Sequence, residues 1–72
     1  MKNYVVLDWY KSFTNPTLVG FFDTIEETEK AMEEWVVETD NECDCVSYPT
    51  NMEKYKRIVE IAKRLEEEEN GR

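Results

Sequence analysis

The spacing of the apolar residues changes once, at Thr24, and that change limits what this chain can fold into. Ahead of it, YVVLDWY at residues 4–10 alternates, with Val5, Leu7 and Trp9 on one side and Tyr4, Val6, Asp8 and Tyr10 on the other. Alternation in a segment rich in β-branched and aromatic residues predicts a strand. Ser12, Thr14, Asn15 and Pro16 are turn formers, and TLVGFF at 17–22 supplies a second strand, so the two read as a hairpin. After Thr24 the period is helical: Ile25, Thr28, Ala31, Met32, Trp35, Val36 and Thr39 recur every three or four positions. Thr24 with Glu27 forms a capping box, which predicts a helix over 25–39.

Asp40-Asn41 ends that helix, and CDCVSY predicts a third strand over 43–48, closed by Pro49. Thr50 with Glu53 repeats the capping-box spacing and opens a second helix with a buried stripe of Met52, Tyr55, Ile58, Val59, Ala62 and Leu65. The run Glu66 to Glu69 is expected to fray ahead of Asn70-Gly71.

The order β-β-α-β-α predicts an α+β fold: a three-stranded, mainly antiparallel sheet with both helices packed on one face. Its 72 residues make one domain, spanning 1–72, with no repeat or linker. So short a chain buries only about 60% of the surface its unfolded form exposes, and the two Trp, four Tyr and three Phe supply much of the core. With both helices on one face, the other face of the sheet is left open. If Val5, Leu7 and Trp9 are covered, then Tyr4, Val6 and Tyr10 form an exposed patch, of the kind that marks interaction sites. Two functions could use it: homodimerisation through the sheet, or a small-molecule cleft near Trp9, Tyr10 and Phe13. Asp8, mid-strand between Leu7 and Trp9, either points to water on the open face or makes a polar contact at an interface.

Charge separates the function classes further. A net charge of −8 opposes direct binding to nucleic acid or to an anionic membrane, both of which depend on clustered cations. No apolar run approaches the roughly 20 residues of a membrane helix, and the one near the N-terminus is too short for a signal-peptide core. Cys43 and Cys45, one residue apart, make a poor disulfide and fit a reducing compartment, so the expectation is a soluble, cytoplasmic protein.

The excess charge lies in one segment. Residues 24–45 hold nine acids and only Lys30, while acids and bases cancel on either side. Glu29 with Glu33 and Glu34 with Glu38 repel at four-residue spacing, and Glu38 and Asp40 lie where the helix dipole disfavours anions. Together these disfavour the helix by on the order of 1 to 3 kcal/mol. The second helix instead carries Glu53 with Arg57, Glu60 with Arg64 and Lys63 with Glu67, each pair worth about 0.2 to 0.5 kcal/mol.

The chemistry of known sites is missing. There is no histidine, so imidazole bases are excluded, and a lone thiol without a base has few routes to activation. Cys-x-Cys alone falls short of a zinc ligand set. The alternating Asp40, Glu42 and Asp44 start an EF-hand pattern that fails at Cys45 and Asn51, and the two glycines form no phosphate loop. The function expected is therefore non-catalytic, with no metal or cofactor. Glu26, Glu29, Glu33, Glu34, Glu38 and Asp40, flanked by Tyr4, Asp8 and Tyr10, would dock on a basic protein surface, including those that themselves bind nucleic acid. The six glutamates of the first helix occupy about 18 Å, roughly one charge per 3 Å, near the 3.4 Å spacing of one DNA strand. A hydrophobic hairpin followed by an acidic helix resembles, in general style, the small acidic proteins that phages and mobile elements encode to inhibit host factors, which implies an inhibitor acting by charge mimicry.

Overall fold

The computed structural model describes residues 2–70. Strands β1 (Tyr4–Asp8), β2 (Thr17–Phe22) and β3 (Cys45–Pro49) form one sheet in the order β2-β1-β3, and both pairings are antiparallel. Helix α1 (Ile25–Glu38) joins β2 to β3, and a 3-10 turn (Glu53–Tyr55) leads into helix α2 (Lys56–Asn70). The α+β class, the element order and the antiparallel sheet are as the residue pattern predicts.

The helices, however, do not share a face. Val5 and Leu7 pack with Val59 and Ala62 of α2, together with Phe21, Leu18, Tyr48, Ile58 and Leu65. Val6 points the opposite way, yet it is 0% exposed. It is covered by α1, which lies over β1 and β2 and whose Trp35 indole bonds Asp8 on that same side. The reason is connectivity. β2 and β3 both run antiparallel to β1 and so parallel to each other, and α1 must cross β1 to join them. That crossing occupies one face, and α2 takes the other. The open face expected around Tyr4, Val6 and Tyr10 is thus absent: Tyr4 is half-buried, Val6 is buried, and only Tyr10 is exposed, in the loop beyond β1. A dimer built on that face loses its surface.

Local signals fare unevenly. Thr24 caps α1 as expected, its hydroxyl oxygen accepting from the Glu27 N–H at 3.2 Å and its O–H donating to the Glu27 carboxylate at 3.3 Å. The second box does not form. The Thr50 hydroxyl instead donates to the Lys2 carbonyl at 2.6 Å, and the chain enters α2 through the 3-10 turn after Met52. β1 stops at Asp8 and β3 starts at Cys45, two residues inside the expected limits in each case. Between β1 and β2 the register slips after Val6, so that Val19 is left as a bulge. Gly20 lies opposite Val6, and a side chain there would meet the Phe22 ring at 2.8 Å, so the glycine lets that ring fold back over the strand. The Glu66–Glu69 run stays helical rather than fraying, with Leu65 seated on the core and Lys2 and Lys63 beside Glu66 and Glu67. Gly71 lies outside the described residues. Ile25, Val36 and Met52, expected in buried stripes, are exposed, because each falls at the margin of its helix's buried arc or before it.

Among the described residues no helix is long and apolar enough to cross a membrane.

Burial of β1 on both sides sets a test. Val6→Ala should destabilise the fold by about 1.5 to 3 kcal/mol, comparable to Val5→Ala, because two methyl groups leave a covered site. Urea unfolding measures it; a change below about 0.5 kcal/mol would mean that α1 does not cover this face.

Candidate functional site

The acidic helix and the elements that hold it are organised by Asp8. This residue is 8% exposed, and its carboxylate accepts three N–H bonds. The Trp35 indole of α1 donates to Oδ2 at 2.9 Å, and the backbone N–H groups of Asp44 and Tyr10 each donate to Oδ1 at 2.9 Å. One side chain at the end of β1 thereby fixes the last turns of α1, the approach to β3 and the start of the hairpin loop. Burial pushes the carboxyl up, but the Asp44, Trp35 and Tyr10 donors and the charge of Lys11 outweigh it and hold Asp8 below its ordinary 3.8. Asp8 is a structural anchor and is not available to a partner, contrary to its place among the expected contact residues.

From this anchor α1 presents its other side to solvent. Thr28 is buried, and Ala31, Met32, Trp35 and Thr39 are half-buried, so the sheet-facing arc is centred on Thr28 and Trp35. All six glutamates lie outside that arc and are exposed. At 3.6 residues per turn they divide into two rows: Glu26, Glu29 and Glu33 on one flank, Glu27, Glu34 and Glu38 on the other. Lys30 and Val37 lie between the rows. The expected set Glu26, Glu29, Glu33, Glu34 and Glu38 is therefore brought onto one exposed side but not into one line. The row of Glu27 and Glu34, with Ala31, borders a shallow hollow against Phe22 at the β2 edge.

Helix α1 ends in an unusual way. The Asp40 N–H donates to the Val37 carbonyl at 3.2 Å and the Asn41 N–H to the Val36 carbonyl at 2.9 Å, the paired bonds of a Schellman motif. That motif needs a left-handed residue, normally glycine, after the cap. Here Asp40 (φ 56°) and Asn41 (φ 67°) adopt it. The last turn carries no base, and Thr39 helps to close it by donating its hydroxyl to the Trp35 carbonyl at 2.7 Å. Asp40 is thus exposed, set in a conformation that glycine adopts more easily, and negative where the dipole opposes it.

Exposed apolar residues accompany the charge. Val37 is 79% exposed between the two glutamate rows, and Phe13, in the loop between β1 and β2, is 85% exposed. A valine interrupting a polar arc is visible in the periodicity of α1, so Val37 could have been singled out from sequence; Phe13 is expected from sequence only as part of an aromatic cleft. The aromatic cleft expected at Trp9, Tyr10 and Phe13 does not form in this way. The Trp9 indole turns to the α2 side and donates to the Tyr48 hydroxyl at 2.9 Å, where Tyr48 meets the Tyr55 ring edge-on at 5.3 Å.

Both thiols are half-buried, and Cys45 lies opposite Asp8 in the sheet with Cys43 beside it. Burial, with Cys43, Asp8 and Asp44 nearby, pushes the Cys45 thiol up to about 12, so it stays protonated and is a poor nucleophile or ligand. Among the described residues no three metal-ligating side chains come together. Comparison with protein-family models, curated proteins and solved structures returned no match.

Two measurements check this geometry. Because the folded Asp8 carboxyl is held below its unfolded value, its stabilisation is complete above about pH 3.9 and is lost as pH falls through the folded value. Asp8→Asn should accordingly flatten the acid limb of a stability-versus-pH curve between about pH 5 and pH 2, and Asp8→Ala, which leaves three donors unpaired, should cost about 2 to 4 kcal/mol at pH 7. An unchanged acid limb in Asp8→Asn would remove the three-donor account. For the thiol, alkylation of Cys45 at pH 8 should run at least about tenfold slower in the native chain than in urea; equal rates would contradict a protonated, enclosed sulfur.

Proposed function

We propose that the chain is a non-catalytic, cytoplasmic protein-binding module that presents the solvent side of α1 to a basic protein surface. The observation that carries this reading is that acids are concentrated where they oppose the helix they belong to. Glu29 with Glu33 falls on one row and Glu34 with Glu38 on the other, so each row contains a repelling pair. Asp40 adds a negative charge at the helix end, in a left-handed conformation that glycine adopts more easily. Stability alone selects against such an arrangement, and a surface shaped for a cationic partner accounts for it. Val37, between the rows, supplies an apolar contact that such a partner would cover.

The partner is best described by charge. Successive carboxylates are on average about 5 Å apart along the helix in the row of Glu26, Glu29 and Glu33 and about 8 Å apart in the row of Glu27, Glu34 and Glu38, both wider than the 3.4 Å of a DNA strand. The geometry therefore favours a basic surface in general, a nucleic-acid-binding protein being one kind, over close imitation of a phosphate backbone. Inhibition of such a partner by occupying its cationic site is the role this reading assigns. The absence of histidine and the protonated Cys45 thiol support a function without chemistry.

The test compares capture of proteins from a native extract by the parent chain and by a chain carrying Glu29→Lys, Glu33→Lys and Glu34→Lys. The parent should release its partner as salt rises from about 0.05 to 0.5 M, and the triple variant should fail to capture it with little loss of fold. Asp40→Gly sharpens the comparison: stability should rise by about 1 kcal/mol while affinity falls. Capture that survives charge reversal unchanged would overturn the proposal.

A further inference from the structure

Both helices stand over the β1–β2 side of the sheet, and β3 is left as the least covered strand. Its residues show this on both faces. Val46, on the α2 side, is 37% exposed, and Ser47, on the α1 side, is exposed as well. Among the described residues no other strand pairs with its outer edge. The ladder to β1 begins with the Trp9 N–H on the Asp44 carbonyl (3.0 Å), and beyond Pro49 the Thr50 N–H donates to the Asn3 carbonyl (2.9 Å). Antiparallel pairing alternates, so Val46 and Tyr48 direct their backbone groups to β1, and Cys45 and Ser47 direct theirs outward. The opposite edge, β2, is interrupted by the Val19 bulge, one of the devices that block strand addition; β3 has no bulge and no charged side chain along Cys45–Pro49.

The surroundings of this edge are anionic and partly apolar. Since Glu27, Ala31 and Glu34 lie against Phe22 of β2, the other flank of α1 leans toward β3. That flank carries Ile25, Met32 and Val36, the first and last exposed, alongside Glu29 and Glu33. Glu42 and Asp44 precede the strand.

We infer that the free edge of β3 accepts an extended, lysine- or arginine-bearing segment of a partner protein as a fourth strand, antiparallel or parallel to β3. The outward N–H groups of Cys45 and Ser47 and their carbonyls supply the backbone bonds. The apolar side chains of the segment pack against Val46 or against the Ile25, Met32 and Val36 flank. Its cations meet Glu29, Glu33, Glu42 and Asp44. Charge selects this occupant over a second copy of the chain, because pairing two β3 edges brings together two molecules that each carry −8. The inference rests on the reading of the chain as a binder of basic partners, and it adds the shape of what is bound.

The probe is a blocked seven-residue peptide of alternating lysine and valine, followed by amide NMR and hydrogen exchange on the full chain. Saturable shifts at Cys45 and Ser47, with slowed exchange of those two amides, are expected. A fully N-methylated counterpart keeps every charge but cannot donate, and should bind about tenfold or more weakly. Ser47→Pro removes an outward N–H at an edge position that tolerates proline, and should weaken the unmodified peptide similarly while leaving the unfolding midpoint within reach of the parent's. Equal binding of both peptides, with shifts confined to residues 26–38, would overturn strand addition and leave the acidic-helix reading standing. No shift with the lysine peptide at millimolar concentration would also overturn it, whereas the acidic-helix reading falls only if partner capture survives reversal of its glutamates.

Discussion

One buried carboxylate holds this small fold in register. Asp8 ends the central strand, and its oxygens take hydrogens from Trp35, Asp44 and Tyr10, which belong to α1, the approach to β3 and the hairpin loop. An ionised group with 8% exposure is costly to bury, and three well-placed donors are what make it tolerable. Without them the last turn of α1 has little else to fix its angle on the sheet, since Trp35 is the large side chain that α1 directs at β1. The remaining contacts of α1 are modest: Thr28 is its one fully buried residue, its hydroxyl donating back to the Ile25 carbonyl at 2.6 Å. By contrast α2 is held by a conventional apolar layer of Val59 and Ala62 against Val5 and Leu7.

The two faces of the sheet thus rest on different physics, and this difference shapes the surface. The α2 face is an apolar core. The α1 face is thinner, secured by Val6, Thr28 and the Asp8 knot, and its helix carries the acidic outer side. The glutamate rows, Val37 and the left-handed Asp40 lie there. With β1 enclosed from above and below, the sheet has no open face, and its least covered parts are strand β3 and the loop bearing Tyr10 and Phe13.

Much of the architecture was legible because its signals are local. The limits of β2 follow from Pro16 ahead of it and Thr24 behind it. The start of α1 follows from a capping box whose two bonds lie within three residues. What could not be read depends on contacts distant in sequence. Asp8 meets Trp35 and Asp44, 27 and 36 residues away, and no short-range pattern distinguishes an aspartate facing water from one facing three N–H groups. The second capping box failed for the same reason, as Thr50 found a carbonyl 48 residues back along the chain. The side on which each helix packs was also hidden, because β1 is apolar on both sides and alternation alone allows either helix to cover either. At the candidate site, spacing located every glutamate of α1, and helical geometry already implied the two rows. Val36 and Ile25 sit at the margin of the apolar arc, where periodicity cannot decide burial because exposure depends on how far α1 leans over the sheet.

The packing of α1 depends on an Asp8 carboxylate that is ionised, enclosed and bound to Trp35. The direct measurement is an NMR titration that follows the Asp8 carboxyl carbon and the Trp35 indole proton in the same sample. Asp8 should titrate below its ordinary 3.8, and the indole proton should shift with the same midpoint. A midpoint at or above 3.8, with an indole proton indifferent to it, would contradict the arrangement that holds α1 in place.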